Sequence, residues 1–244
     1  MRTKIIYEDA HVLVCHKPAG LATQSGHIGQ ADMVSELKKY LAVALRNGTL
    51  QGNATGGVKG AEPYLGIVHR LDQPVEGLLV FGKTKEAAAK LTAQLSKGSL
   101  NKQYYAVVCG KPITNAGELV DYLVKDKDVA RVSEENGDGA KKAVLQYRLV
   151  QETEINNGQT ASLLDVHIDT GRFHQIRVQM AHAGHPILGD GKYGSEQSMA
   201  LSKELGIHCV ALYAYQVEFL HPASGKKLKF QIEPKLPAGF GNIS

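Results

Sequence analysis

The chain has 244 residues, 43% hydrophobic and 21% charged, a mixture that excludes a wholly disordered or fibrous protein. No apolar run reaches the roughly 18 residues of a membrane span, and Met1–Asp9 holds no apolar stretch suited to a signal peptide. The 28 Lys+Arg against 24 Asp+Glu leave a net charge of +4, which admits an anionic partner without demanding one.

Two short strands are expected at Ile5–Tyr7 and Val12–His16, broken by Glu8-Asp9-Ala10 and ended by Pro18 and Gly20. Val34, Leu37, Leu41 and Ala44 recur at helical spacing, so residues 32–46 read as an amphipathic helix with Asp32 near its start. The glycine-rich stretch 47–60 reads as a mobile surface loop. Leu78–Phe81 is a buried strand, followed by a helix with Ala87, Ala88, Leu91 and Leu95 on its apolar face. A further strand is expected at Tyr104–Cys109, where Tyr104 and Tyr105 must point to opposite faces.

Residues 143–152 and 159–168 are β-rich runs joined by Ile155-Asn156-Asn157-Gly158, whose Asn-Gly pair signals a hairpin. Phe173, Ile176, Met180 and Ala183 mark one more helix with that stripe toward the core. The last strands are expected at about 209–220 and 227–232. Hairpin-joined strands with a few helices between them indicate an α+β fold: a long mixed, mostly antiparallel sheet with flanking helices.

Cys15, Cys109 and Cys209 are odd in number and far apart, without CxxC spacing, which suits a reducing cytosol and neither a disulfide framework nor a zinc site. His174, His182 and His185 lack a cysteine or carboxylate at ligand spacing, so no metal is expected. Gly77-Leu78-Leu79-Val80-Phe81-Gly82-Lys83-Thr84 matches the phosphate-loop pattern GxxxxGK[ST] letter for letter. Four consecutive bulky apolar residues nevertheless belong in a buried strand, not in an exposed backbone cradle, so nucleotide hydrolysis is the weakest reading.

His69-Arg70-Leu71-Asp72 puts a carboxylate among cationic and proton-transferring side chains within four residues. It is either a solvated turn or a site where a neighbouring arginine keeps Asp72 ionised as nucleophile or base. Gly171-Arg172-Phe173-His174-Gln175-Ile176-Arg177 opens a helix on which His174 and Arg177 share a face. Arg177 is then available to a buried carboxylate, and Arg172 and His174 to a phosphate at the helix N-terminus.

Four ordered segments together resemble the RluA-type family of RNA pseudouridine synthases: His16-Lys17-Pro18-Ala19-Gly20, Ile67–Asp72 with Gly77-Leu78-Leu79, Lys102-Gln103-Tyr104, and Gly171–Arg177. The Gly184–Asp190 turn and Tyr193 are similar to the family's as well. The resemblance implies isomerisation of uridine to pseudouridine within RNA, in ribosomal or transfer RNA, without cofactor or metal. It assigns the catalytic carboxylate to Asp72, its ion-pair partner to Arg177 and the base-packing tyrosine to Tyr104. Arg70 becomes the residue that replaces the flipped nucleotide, with His69, Arg172 and His174 as further RNA contacts. Chemistry on both sugar and base requires an unstacked nucleotide, and an anion beside the glycosidic carbon fits the charge that develops there.

Two positions depart from the family pattern: Val75-Glu76 where Thr-Ser is common, and Gln179 where histidine is usual. The expectation is a single catalytic domain over 1–244 with a central basic cleft and no separate N-terminal RNA-binding domain. It is a cytoplasmic monomer whose partner is RNA. A noncatalytic RNA-binding module on the same fold is the main alternative.

Overall fold

The computed structural model describes residues 1–26, 29–47, 62–155 and 158–241. They fall into two compact units, Met1–Asn101 with Gln216–Ile232 and Lys102–Tyr215 with Glu233–Ser244. Beyond Asn47, the glycine-rich stretch expected to be a surface loop lies outside the described residues.

In the first unit β1 (Lys4–Glu8) pairs antiparallel with β2 (Val12–Lys17). The break between them is made by Asp9, whose carboxylate accepts the N–H groups of His11 and Val12 at 2.7 and 2.8 Å. Helix α1 (Met33–Arg46) starts at the N-cap Asp32, which accepts the Ser35 N–H, and buries Met33, Val34, Leu37, Leu41 and Ala44, the stripe its spacing predicts. The two-residue β3 (Gly66–Ile67) and β2 both pair with β4 (Glu76–Gly82).

That assignment excludes the phosphate-loop reading. Leu78–Phe81 are buried within a paired strand. The Lys83 Nζ donates to Glu8 Oε1 at 2.7 Å and to the Asp9 carbonyl, and Thr84 caps helix α2 (Lys85–Ser96) by accepting the Ala87 N–H. The lysine that would reach a phosphate is buried in an ion pair instead.

The second unit is an antiparallel array in the order β5 (Asn101–Cys109), β9 (Thr160–Ile168), β8 (Lys141–Glu154), β6 (Ala116–Asp126), β7 (Val129–Ser133). The β8–β9 connection fits the predicted hairpin: the Ile155 N–H donates to the Gln159 carbonyl and Gly158 has φ +72°, while Asn156 and Asn157 lie outside the described residues. Helix α3 (Gln175–His182) packs on one face of this sheet, where Val178 meets Ala143, Leu123 and Ala130. Helix α4 (Glu196–Glu204) follows a capping box formed by Ser195 and Ser198. Strand β10 (Leu212–Leu220) carries the chain back to the first unit, where it pairs with β11 (Lys227–Gln231). There Val217 and Phe219 join Val12, Val14, Leu78 and Val80 in the core. The α+β class with a mostly antiparallel sheet and flanking helices is as the sequence implies.

Candidate active site

The HRLD segment lies between β3 and β4, and the turn after β2 holds it. The buried Lys17 ammonium donates to three carbonyls: Leu21 at 2.6 Å, Gln73 at 2.9 Å and Pro18 at 3.1 Å. Gly20, at φ +79°, also donates its N–H to the Gln73 carbonyl at 2.9 Å. The Thr23 hydroxyl donates to the Leu71 carbonyl at 2.9 Å and accepts the Leu71 N–H at 3.3 Å. Asp72 thus sits between two anchored neighbours, and its own carbonyl accepts the Val75 N–H at 3.0 Å.

The carboxylate is half-buried on a backbone with little freedom. This is why HKPAG and HRLD occur together: one motif supplies the donors that fix the other. Around Asp72, Arg70 is exposed, whereas His69 is 8% exposed and accepts the Val80 N–H through Nε2 at 3.3 Å. His69 therefore ties the loop to β4 and offers RNA little surface. The departure Val75-Glu76 also has a local account. Val75 is buried, and Glu76 Oε1 pairs with His16 Nε2 at 3.0 Å, so this second carboxylate is engaged by the first residue of HKPAG.

In the second unit the GRFHQIR segment differs from the sequence reading in where the helix starts and in which residues it buries. The helix begins at Gln175, and Phe173 and His174 belong to the turn before it. His174 is the N-cap at φ +53°, its ring stacks on Phe173 with centroids 3.8 Å apart, and its Nδ1 is 2.7 Å from the Tyr193 hydroxyl. The predicted core stripe is correct for Ile176 and Met180 only. Phe173 is half-buried, Ala183 is exposed, and every residue from Gln175 to Met180 is buried. The Gln175 side chain closes the turn by accepting the Arg172 N–H and the Thr170 hydroxyl while donating to the Val144 carbonyl. Arg172 stays exposed, although its Nε donates to the Lys142 carbonyl at 2.9 Å.

Arg177 does meet a buried carboxylate, one that sequence reasoning missed. Its Nε and Nη2 donate to the two oxygens of Asp190, each at 2.7 Å, with the side chains 5% and 1% exposed. Burial alone would raise the Asp190 carboxyl. The Arg177 hydrogen bonds and charge, with the N–H groups of Lys192 and Tyr193, outweigh it and hold the group below the ordinary carboxylate range. The guanidinium also lies over the Tyr193 ring, 5.1 Å from its centroid. The sequence signal for Asp190 is its place at the end of the Gly184–Asp190 turn, which resembles the family's but does not by itself mark the aspartate as the partner of Arg177. Gln179 is fully buried and donates to Asp121 Oδ2 at 2.9 Å, which makes it a structural member of this helix.

Tyr104 and Tyr105 divide between the faces of β5 as expected. Tyr104 is 5% exposed and opposite Val166. Tyr105 is half-buried and stacks on Tyr215 with centroids 3.9 Å apart. The three histidines weighed as metal ligands have separate partners: His174 the Tyr193 hydroxyl, His182 Asp121 Oδ1 and His185 the Cys109 carbonyl.

A family model described as RNA pseudouridylate synthase matches residues 11–182, more than half of the chain. The chain belongs to the RNA pseudouridylate synthase family. It is 39% identical to the ribosomal large subunit pseudouridine synthase D of Zymomonas mobilis over 94% of this chain and 68% of that one. It is 32% identical to the synthase C of Rickettsia prowazekii, over 97% and 69% of the two chains. The Xylella fastidiosa synthase D is 38% identical over 89% of this chain but 62% of its own, so the chain spans about two thirds of these relatives' length. Among solved structures, Human RNA Pseudouridylate Synthase Domain Containing 4 aligns with a TM-score of 0.69 over 96% of this chain and 89% of that one. At 24% identity that likeness supports the fold. The family's activity is the one expected here, isomerisation of uridine to pseudouridine in RNA.

Proposed function

We propose that this enzyme modifies uridine in large-subunit ribosomal RNA, with Asp72 as its catalytic carboxylate. The observation that carries the reading is the build of the Asp72 loop: a half-buried carboxylate whose two neighbours, Leu71 and Gln73, are pinned by Thr23, Lys17 and Gly20. Breaking the N1–C1′ bond gives the sugar carbon positive character, and an anion that need not reorganise stabilises it best. The target nucleotide must leave its stack, and an aromatic platform with a cationic wedge offsets part of that cost. Tyr104 serves as the platform in this reading and the exposed Arg70 as the wedge.

Arg177 is assigned as the partner of Asp72. Asp190, which binds the Arg177 Nε and Nη2, becomes the residue that orients the guanidinium. Exposed Arg172 contacts RNA phosphate, while His69 and His174 shape the backbone beside the contacts. The enzyme acts as a cytoplasmic monomer with RNA as partner and neither metal nor cofactor. The relatives named as large-subunit synthases support ribosomal over transfer RNA as substrate.

Chemical mapping of pseudouridine in total RNA tests this, comparing a strain without the gene to the same strain complemented. Loss of one or more large-subunit sites, restored by complementation, is expected. Loss confined to transfer RNA would overturn the substrate, and an unchanged map would favour the noncatalytic module.

A further inference from the structure

Three lysines are buried among the described residues: Lys17, Lys83 and Lys102. Lys17 has three carbonyl acceptors and Lys83 has Glu8, so both charges are matched. Lys102 is 8% exposed and has neither hydrogen-bond nor ion-pair partner among the described residues. Burial alone pushes its ammonium down to about 8, with no neighbouring charge contributing. An unmatched buried cation opposes folding, and a hydrophobic residue of similar volume is the more stable choice.

Its position suggests what it serves. Lys102 and Tyr104 are two apart on β5, so their side chains leave the same face of the strand. Tyr104 pairs with Val166 and Val166 with Tyr147, and opposed residues of antiparallel strands share a face. Leu145 and Ala143 alternate with Tyr147 along β8, so this is the face on which α3 packs through Val178. The ionisable groups on this face and on α3 include Tyr104, Tyr147, Lys141, Asp121 opposite Ala143, His182 and Arg177; Asp121 is bound to Gln179 and His182, and Arg177 to Asp190. No carboxylate among the described residues is committed to Lys102.

We propose that Lys102 is the cationic partner of the uracil ring during turnover, donating to a uracil oxygen while the base carries negative charge. The inference rests on the reading of Tyr104 as the residue that packs on that base. When N1–C1′ breaks, its electron pair leaves with the base, and the charge spreads from N1 onto O2 and O4. The sugar carbon is taken up by Asp72. The base turns, C5 bonds to C1′ as the Asp72 oxygen leaves that carbon, the C5 proton is lost, and N1 gains a proton, so the sum is an isomerisation. Lys102 ends as it began, as an ammonium. A charge-assisted bond to a transient anion gives the buried cation a counter-charge only when the base is anionic, which lowers the barrier more than it strengthens binding.

The test compares wild type, Lys102→Met and Lys102→Arg on an unmodified transcript of large-subunit ribosomal RNA, counting pseudouridine formed and recording thermal unfolding. Lys102→Met is expected to lose on the order of 100-fold in kcat with KM little changed, yet to unfold a few degrees above wild type at pH 7. Lys102→Arg keeps the charge and recovers part of the rate. Wild-type kcat/KM falls as pH rises through about 8, where Lys102 loses its proton, whereas Lys102→Arg shows no fall there. A Lys102→Met enzyme within threefold of wild type, or one equally slow but less stable, would overturn the proposal. Wild type forming no pseudouridine on ribosomal RNA would refute the proposed function itself, and the role of Lys102 with it.

Discussion

The turn after β2 and the start of β5 each bury a lysine beside a motif residue, and the two are built oppositely. Lys17 is fully buried and spends its ammonium on the carbonyls of Pro18, Leu21 and Gln73. Lys102 is nearly as buried and has no partner among the described residues. A matched buried charge holds a backbone in place, here the backbone of Asp72. An unmatched one weakens the fold, and in the role proposed for Lys102 its counter-charge arrives with substrate. The same residue type is scaffold in one region and machinery in the other, and hydrogen-bond partners distinguish them where burial does not.

Substitutions sharpen that contrast. Asp190→Asn should have the largest effect on stability, about 3–5 kcal/mol, because the buried Arg177 guanidinium loses the charge of the carboxylate that binds its Nε and Nη2. Chemical denaturation measures it. The Asp190 carboxyl is depressed in the folded state, so its contribution is complete above the unfolded value of about 3.9 and is lost as pH falls through the lower folded value. Stability of the variant should therefore change less than wild type across that acid range. Lys17→Met comes next, at about 3 kcal/mol, since the buried Leu21 carbonyl and the part-buried Pro18 and Gln73 carbonyls lose their donor. Turnover should fall with it as the Asp72 loop loosens. Stability and turnover decline together for Lys17→Met and move in opposite directions for Lys102→Met. If both variants behaved alike, the contrast would fail.

Much of this was legible in the sequence because it rests on periodicity and local chemistry. Asp32 and the Val34–Ala44 stripe define α1, and the run Leu78–Phe81 is a strand despite its phosphate-loop spelling. The β6–β7 hairpin was not legible: its turn runs through Lys127 at φ +53°, without the Asn-Gly or Asp-Gly pair that marks such turns. Helix α4, nine residues with few apolar positions, gives little periodic signal. The spacing of Phe173 places the start of α3 too early, while stacking and the Tyr193 hydroxyl keep His174 out of the helix. Within the site, Asp72, Tyr104 and Arg177 carry recognisable motifs. Asp190 is a single aspartate in a loop, and the isolation of Lys102 is a property of its surroundings, which no local pattern encodes.

The central claim is that one carboxylate, held by the Lys17 turn, performs the chemistry. Asp72→Asn removes its charge at nearly constant volume. Single-turnover formation of pseudouridine by the purified variant, with RNA affinity measured alongside, tests the claim directly. The account predicts a loss of at least about a thousandfold in rate with affinity within about threefold of wild type. A variant that forms pseudouridine within about tenfold of the wild-type rate would contradict it.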